Sequence, residues 1–98
     1  MSKEITIKFY ADPGHGWGCV KIALLKELGI VVGDISTYSY VKGKSIYLEE
    51  DCDLSMLIRV IQAKGFTYKY VHKHTDNQSQ IRSYPSTTSK VLAVVLAD

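Results

Sequence analysis

The sequence is short of the features that mark the most recognisable functional classes. It has 98 residues, two cysteines, two prolines and one tryptophan, and its formal net charge is only +2. Dedicated nucleic-acid-binding domains carry a strongly basic balance that neutralises phosphates, and this chain does not. Cys19 and Cys52 do not repeat at metal-finger spacing. A structural zinc site is therefore not expected.

No apolar run is long enough to cross a membrane, and the opening Met-Ser-Lys-Glu leads directly into a strand pattern rather than into a signal peptide. We therefore expect a cytoplasmic protein without a membrane partner. In a reducing cytoplasm both thiols are expected to be free.

Motifs of common enzymes are also missing. The sequence contains no Gly-x-Ser-x-Gly, no Gly-x-x-x-x-Gly-Lys-Ser/Thr and no dinucleotide-binding glycine pattern. No nucleophile with a partner base is evident, so we do not expect an enzyme. No catalytic residue, cofactor or metal is predicted.

Hydrophobic periodicity does predict secondary structure. Residues 4–11 and 66–74 alternate with period two and are rich in β-branched and aromatic side chains, which is typical of strands. The predicted series begins with a strand over 4–11 and a helix over 19–28. In that helix Val20, Ala23, Leu24 and Leu28 fall at helical spacing, with Ile22 and Leu25 alongside. Strands over 35–41 and 45–49 follow, joined by a turn at 42–44. A second helix starts at Asp51 or Asp53 with a stripe of Leu54, Leu57, Ile58 and Ile61, and a strand over 66–74 comes after it.

The order β-α-β-β-α-β predicts an α+β fold of the ferredoxin-like, split-βαβ kind, with an antiparallel sheet and two helices on one face. We expect a single domain over 1–84. Residues 85–98 then form a polar linker and an apolar C-terminal segment, either an extra strand or a tail. Such a segment could pair across a two-fold axis, so a homodimer is one predicted assembly.

The segment over 12–18 is the most unusual part of the chain, with one proline and glycines at alternate positions. We expect it to leave a strand and enter a helix, where free N–H groups and exposed backbone favour an anion. Its candidate ligand- or partner-binding residues are Asp12, Gly14, His15, Gly16 and Trp17. The commoner explanation for such a loop is a tight turn with Trp17 on the edge of the core.

Asp12 to Gly16 also resembles the opening motif of the zinc-dependent N-acetylmuramoyl-alanine amidases, which implies a metal-binding role for His15. The resemblance covers five residues, and the longer domain and other ligands of that family have no counterpart here. A site formed by His15 with His72 or His74 lacks a third ligand at a defined spacing. Surface histidines beside Lys69 and Lys73 are the favoured interpretation.

Tyrosines are frequent in the predicted strands, and tyrosine is enriched at protein interfaces. Ordinary cross-strand packing explains part of this set. The acidic stretch around Glu49 and Glu50 is interpreted as a capped helix start, with an acidic docking surface as the alternative. The interface candidates are Tyr38, Tyr40, Tyr47, Glu49, Glu50, Tyr68, Lys69, Tyr70, His72, Lys73, His74 and Arg82.

Several segments together resemble an uncharacterised family of small proteins from tailed bacteriophages. They are ADPGHGW (11–17), LLKELGI (24–30), DISTYSY (34–40) and YLEEDCD (47–53), with an extension over 73–84. The resemblance implies a phage origin but brings no activity or catalytic residues. The segment over 85–98 is not part of it.

These observations lead to competing functional hypotheses. The leading one is a non-enzymatic binding protein that engages or inhibits a host or anti-phage defence protein. The alternatives are a nucleotide- or anion-sequestering protein that uses the 12–18 loop, a weak nucleic-acid binder that uses the basic 69–82 segment, and a small metal-dependent hydrolase built on His15. The sequence does not identify the partner.

Overall fold

The described part of the chain folds into a five-stranded sheet with two helices. The computed structural model describes residues 3–31, 34–36 and 39–74. The elements in chain order are β1 (Glu4–Ala11), β2 (Gly16–Lys21), α1 (Ile22–Glu27), β3 (Tyr40–Lys42), β4 (Ser45–Glu49), α2 (Asp53–Ala63) and β5 (Thr67–His74). The predicted mixed α+β class is confirmed. The segment over 85–98 lies outside the described residues.

The strands follow the order β3-β4-β2-β1-β5 across the sheet. The pairs β1–β2, β2–β4 and β3–β4 are antiparallel, whereas β1 and β5 are parallel. The sheet is therefore mixed rather than antiparallel throughout. The bounds predicted for β1 and β4 agree with the structure, and β5 starts one residue later than predicted.

The main departure from the predicted order is β2, which forms a hairpin with β1. The sequence predicts a loop over 12–18 and a helix from Cys19, but the chain turns back at Asp12–His15 and the helix begins only at Ile22. Because Gly16 and Gly18 carry no side chain, the alternation of this strand is hidden in the sequence. Val20 also fits the helical spacing of the apolar residues that follow it, so the sequence pattern places the helix start in what is the end of β2.

The extra strand explains why the ferredoxin-like order is not observed. β2 and β3 run parallel with β4 between them, which is a split β-α-β unit. In a ferredoxin-like sheet the last strand would pair antiparallel with β2. Here β1 occupies that position, and β5 pairs with β1 instead.

The strand predicted over 35–41 is reduced to the short β3 at Tyr40–Lys42. Ser36 and Ser39, which precede it, are hydrogen-bonded to Asp53 at the start of α2. These contacts tie Ser36 and Ser39 to the start of α2, and Ser39 also accepts the Glu49 N–H at the end of β4. Ile35 is still buried in the core, as its apolar character predicts.

One hydrophobic core joins both helices to a single face of the sheet. Its buried members are Ile5, Ile7, Val20, Ile22, Leu25, Leu28, Ile30, Ile35, Val41, Ile46, Leu48, Leu54, Leu57 and Ile61. Leu54, Leu57 and Ile61 confirm the stripe predicted for α2, with Ile58 partly buried. In α1 the buried residues are Ile22 and Leu25, while Ala23 is exposed, so the predicted face of this helix is rotated.

The turn between β3 and β4 is as predicted. Gly43 has a φ of +60°, a left-handed conformation that glycine adopts without the steric cost borne by other residues. It lies between Lys42 and Lys44, and the strands it joins pair from Lys42 with Ser45 to Tyr40 with Tyr47.

Candidate binding face of the sheet

The face of the sheet opposite the two helices carries a row of side chains that runs across all five strands. Strand register places Tyr40 beside Tyr47, Tyr47 beside Cys19, Cys19 beside Lys8, and Lys8 beside Val71. Residues paired in register project to the same side of a sheet, and adjacent strands lie about 4.8 Å apart. Val71, on the edge strand β5, is 39% exposed.

A second row on the same face contains Tyr10, Trp17 and Glu49, again paired in register. The Tyr10 and Tyr47 rings meet edge to face with centroids 5.7 Å apart. Trp17 is only 2% exposed and lies outside the hydrophobic core cluster; its ring centroid is 6.3 Å from that of Tyr40 and 6.1 Å from that of His15. The rings of Tyr10, Trp17, Tyr40 and Tyr47 therefore lie close together on this face.

Lysines surround these rings. We call the whole surface the tyrosine–lysine face; it comprises Tyr10, Tyr40, Tyr47, Lys8, Lys21, Lys42, Lys69 and Lys73. The tyrosines are half-buried and the lysines are exposed. Sequence reasoning selected Tyr40, Tyr47, Lys69 and Lys73 but missed the others, although the alternation of β1 already placed Lys8 and Tyr10 on one side.

The acidic residues on this face are engaged by other groups of the protein. Glu4 lies 3.4 Å from the Lys69 ammonium. The Glu49 carboxylate is buried and accepts hydrogen bonds from the backbone N–H groups of Asp51 and Cys52, at 2.9 and 3.0 Å. Among the described residues, the exposed charge of the tyrosine–lysine face is therefore predominantly positive.

Cys19 lies at the middle of the face, between Tyr47 and Lys8. Burial raises the pKa of its thiol, while hydrogen bonds from Tyr47 and Ser45 and the charge of Lys8 oppose that rise. The thiolate form is accordingly disfavoured near neutral pH. Cys19 belongs to β2 and not to a helix start, so the helix dipole that could have activated it is absent.

The loop over 12–18 lacks the helix start on which the predicted anion site depended. The buried Asp12 carboxylate accepts the backbone N–H groups of Gly14 and His15, at 3.0 and 2.9 Å, and no helix follows directly. The Asp12 N–H in turn donates to the His15 carbonyl, which closes the hairpin. The geometry is that of a tight turn that satisfies its own donors.

Gly16 and Gly18 are explained by packing rather than by a ligand. A β-carbon on Gly16 would stand 2.5 Å from the Phe9 ring, and one on Gly18 would stand 2.5 Å from a methyl group of Leu54. Because neither glycine has a side chain, the Phe9 ring and the Leu54 methyl group can pack directly on the backbone of the helix-bearing face. The Glu50 carboxylate also lies beside Gly16, where an added β-carbon would be 2.9 Å from its Oε2.

The acidic stretch has structural contacts, but the predicted cap is not formed, because the N-cap of α2 is Cys52 and makes no side-chain hydrogen bond to the helix. Asp53 is 3% exposed and accepts hydrogen bonds from the Ser36 N–H, the Ser36 hydroxyl and the Ser39 hydroxyl. The Ser39 oxygen also accepts the Glu49 N–H at 3.0 Å. Asp53 is the first residue of α2 and Cys52 the preceding cap, so the carboxylate also faces the positive end of the helix.

The structure divides the predicted tyrosine set between the two faces. Tyr68 and Tyr70 lie on the helix-bearing face, where they form a ladder of rings with Phe9 and His72 at centroid distances of 5.5 to 5.8 Å. Burial and the neighbouring Tyr68 raise the pKa of Tyr70. These rings pack against the core, so they are less suited to a partner than Tyr10, Tyr40 and Tyr47.

The alternative of a metal site at His15 and His72 finds no support among the described residues. His15 lies at the β1–β2 turn and His72 on β5 beside Phe9. Within residues 3–31, 34–36 and 39–74, no three His, Cys, Asp or Glu side chains are grouped so as to hold a metal ion. Tyr38, Arg82 and the side chain of His74, also interface candidates, fall outside the described part of the chain.

No family model matches the chain, and no characterised protein or solved structure is significantly similar to it. None of the helices in the described ranges is long and apolar enough to cross a membrane. The tyrosine–lysine face is therefore the feature from which a function is inferred.

Proposed function

We propose that this chain is a small, non-enzymatic binding protein of a tailed bacteriophage, which engages an acidic surface on a host or anti-phage defence protein through its tyrosine–lysine face. The observation that carries the proposal is that both helices pack on one face of the sheet. The opposite face presents half-buried tyrosines within a ring of exposed lysines.

The aromatic centre of this face has the composition of an interface core. Tyrosine offers a large contact area with few rotatable bonds, and its hydroxyl can find a polar partner when the ring is covered. Tyr10 and Tyr47 are already held edge to face, so less side-chain entropy is lost when a partner covers them.

The lysines favour a partner of opposite charge. Rim charges mainly accelerate the encounter and select among partners, and their effect decreases as salt screens them. Among the described residues of this face, the carboxylates of Glu4 and Glu49 are already engaged, by the Lys69 ammonium and by backbone N–H groups respectively. An acidic protein surface complements this arrangement.

The proposal is tested by affinity capture from lysate of the infected host, with a charge-reversal variant and a matched control. Lys8→Glu/Lys73→Glu reverses two charges on the tyrosine–lysine face. Arg59→Glu/Lys64→Glu makes the same charge change elsewhere, at exposed Arg59 in the C-terminal half of α2 and at exposed Lys64 directly after this helix. We expect one acidic protein to be retained by the wild type and the control, and lost by the Lys8→Glu/Lys73→Glu variant.

Purified partner then distinguishes the alternatives. The affinity should fall with rising salt, and Tyr10→Ser/Tyr47→Ser should weaken it even at high salt, because those contacts are not ionic. Equal binding by all variants would contradict the proposal. Capture that nuclease treatment abolishes would instead identify a nucleic-acid binder, whose bases stack on the same tyrosines.

A further inference from the structure

A shallow groove at the edge of the tyrosine–lysine face, with which it shares Lys21, combines positive charge with an apolar floor. It encloses about 360 Å³ and is lined by Lys21, Ile22, Ala23, Lys26, Gly43 and Lys44. That volume is at the lower end of the range of about 300–1,000 Å³ found for small-molecule sites. The groove therefore suits one small ligand better than a length of protein.

The walls of the groove are held together by the fold. The Ile22 N–H at the start of α1 donates to the Lys44 carbonyl in the β3–β4 turn, at 2.9 Å. This hydrogen bond ties the helix to the hairpin, so Lys21, Lys26 and Lys44 are supplied by different elements around one concavity. Such a site is largely formed before a ligand arrives, which reduces the entropic cost of binding.

Small residues keep the floor of the groove open. Ala23 is exposed, and a β-carbon placed on Gly43 would meet no heavy atom within 4 Å. Ile22 contributes an apolar surface below them, and lysine side chains add their methylene stems. An organic group could lie on this floor while its charged end meets the ammonium groups.

The charge of the groove determines the class of ligand. Lys21, Lys26 and Lys44 line it, and none of the described residues that line the groove carries a carboxylate. Glu27, the acidic neighbour of Lys26 in α1, is ion-paired with Lys3 at 2.9 Å. Like charges around one concavity repel each other, and an anion bearing several negative charges relieves that repulsion. A phosphate or diphosphate group matches this better than a single carboxylate.

We infer that this groove binds a small organic phosphate, with the phosphate group between Lys21, Lys26 and Lys44 and the organic part on the floor formed by Ile22, Ala23 and Gly43. This function is additional to the proposed protein binding. It also relocates the anion site from the 12–18 loop, whose Gly14 and His15 N–H groups bind Asp12.

The probes are adenosine 5′-diphosphate and inorganic pyrophosphate, titrated into the full chain without divalent cations at constant ionic strength. Amide chemical shifts report where each probe binds, and calorimetry reports the affinity. We expect saturable shifts at residues 21–26 and 43–44 and tighter binding of the nucleotide, because only it contacts the apolar floor. Shifts that map elsewhere, or that do not saturate, would overturn the inference.

Matched variants separate a defined site from general charge attraction. Lys21→Gln/Lys26→Gln/Lys44→Gln should weaken nucleotide binding at least about tenfold, as expected for lost charge-assisted hydrogen bonds. Lys8→Gln/Lys69→Gln/Lys73→Gln removes the same charge from the other surface and should leave the affinity within about twofold. An equal loss in both variants would refute a site.

A third variant tests the floor without changing the charge. Ala23→Met keeps a good helix former at an exposed position and fills the groove. It should weaken nucleotide binding more than pyrophosphate binding, and equal effects on both probes would overturn the placement of the organic part. Because Lys8 and Lys73 do not line the groove, failure of the partner-binding proposal leaves these outcomes unaffected.

Discussion

The side chain of Leu54 in α2 lies directly on the backbone of Gly18 in β2. A β-carbon on Gly18 would be 2.5 Å from Leu54 Cδ1 and 3.1 Å from Ile7 Cγ2. A non-bonded contact as short as the one to Leu54 is essentially never found for a real β-carbon, so the absence of a side chain at Gly18 sets how near α2 can come to the sheet. This single contact explains one of the glycines that make the 12–18 segment unusual.

Gly18→Ala should therefore destabilise the protein by about 1–3 kcal/mol, the usual cost of forcing a methyl group into a packed interface. Urea denaturation of both proteins measures the difference in the free energy of unfolding. Leu54→Ala alone should cost about 2–5 kcal/mol through the cavity it leaves. In the double variant the added methyl partly fills that cavity, so its cost should be less than the sum of the two. Additive costs would show that the two residues are not in contact.

Asp53 joins the start of α2 to the segment before β3. Asp53→Ala removes the acceptor for the Ser36 N–H and for the hydroxyls of Ser36 and Ser39, so buried donors lose their partner. We expect a loss of about 2–4 kcal/mol in the free energy of unfolding, measured by urea denaturation. Asp51→Ala, at a neighbouring exposed position, is the control and should change stability by less than about 0.5 kcal/mol. Similar effects of the two substitutions would contradict the network.

The hairpin turn depends on the Asp12 carboxylate. Asp12→Ala leaves the Gly14 and His15 N–H groups without their acceptor, and we expect it to cost about 1–2 kcal/mol by thermal or urea denaturation. Asp12→Asn keeps a side-chain oxygen at the same position and should retain most of the stability. If both variants were equally destabilised, the negative charge rather than the turn geometry would be the important property.

Neither cysteine should behave as an activated thiol. Burial raises the pKa of Cys19, and desolvation together with the negative charge of Glu49 raises that of Cys52. A raised pKa lowers the thiolate fraction at a given pH, so alkylation by iodoacetamide should be slower in the folded chain than in urea at the same pH. The rate should still be increasing above the pH at which an ordinary thiol ionises. Mass spectrometry distinguishes the sites, and exposed Cys52 should react before half-buried Cys19.

Elements whose apolar residues follow one period over their whole length could be predicted from the sequence. The alternation of Ile5, Ile7 and Phe9 defines β1, and the spacing of Leu54, Leu57 and Ile61 defines α2, because in each case one face is buried along the entire element. The segment at 16–21 could not be assigned in this way. Its buried positions include glycines, whose role depends on Phe9 and Leu54 approaching from elsewhere in the fold.

The candidate surfaces show the same distinction. The sequence identified tyrosines and lysines as interface residues but could not assign them to a face, because the face of Tyr47 depends on its pairing with Cys19 and Tyr40. Likewise, Lys21 and Lys44 lie 23 positions apart in the chain, and only the contact of α1 with the β3–β4 turn brings them to one groove.

By itself the sequence determined the α+β class, the bounds of β1 and β4, the buried stripe of α2 and the turn at Gly43, since each is set by local periodicity or by a backbone conformation that few residues adopt. Tertiary structure alone decided that β1 and β2 pair as a hairpin, that β5 lies parallel to β1, and that Tyr10, Tyr40 and Tyr47 share the face without helices. Strand order and register arise from contacts between distant segments, and those contacts have no local signature in the chain.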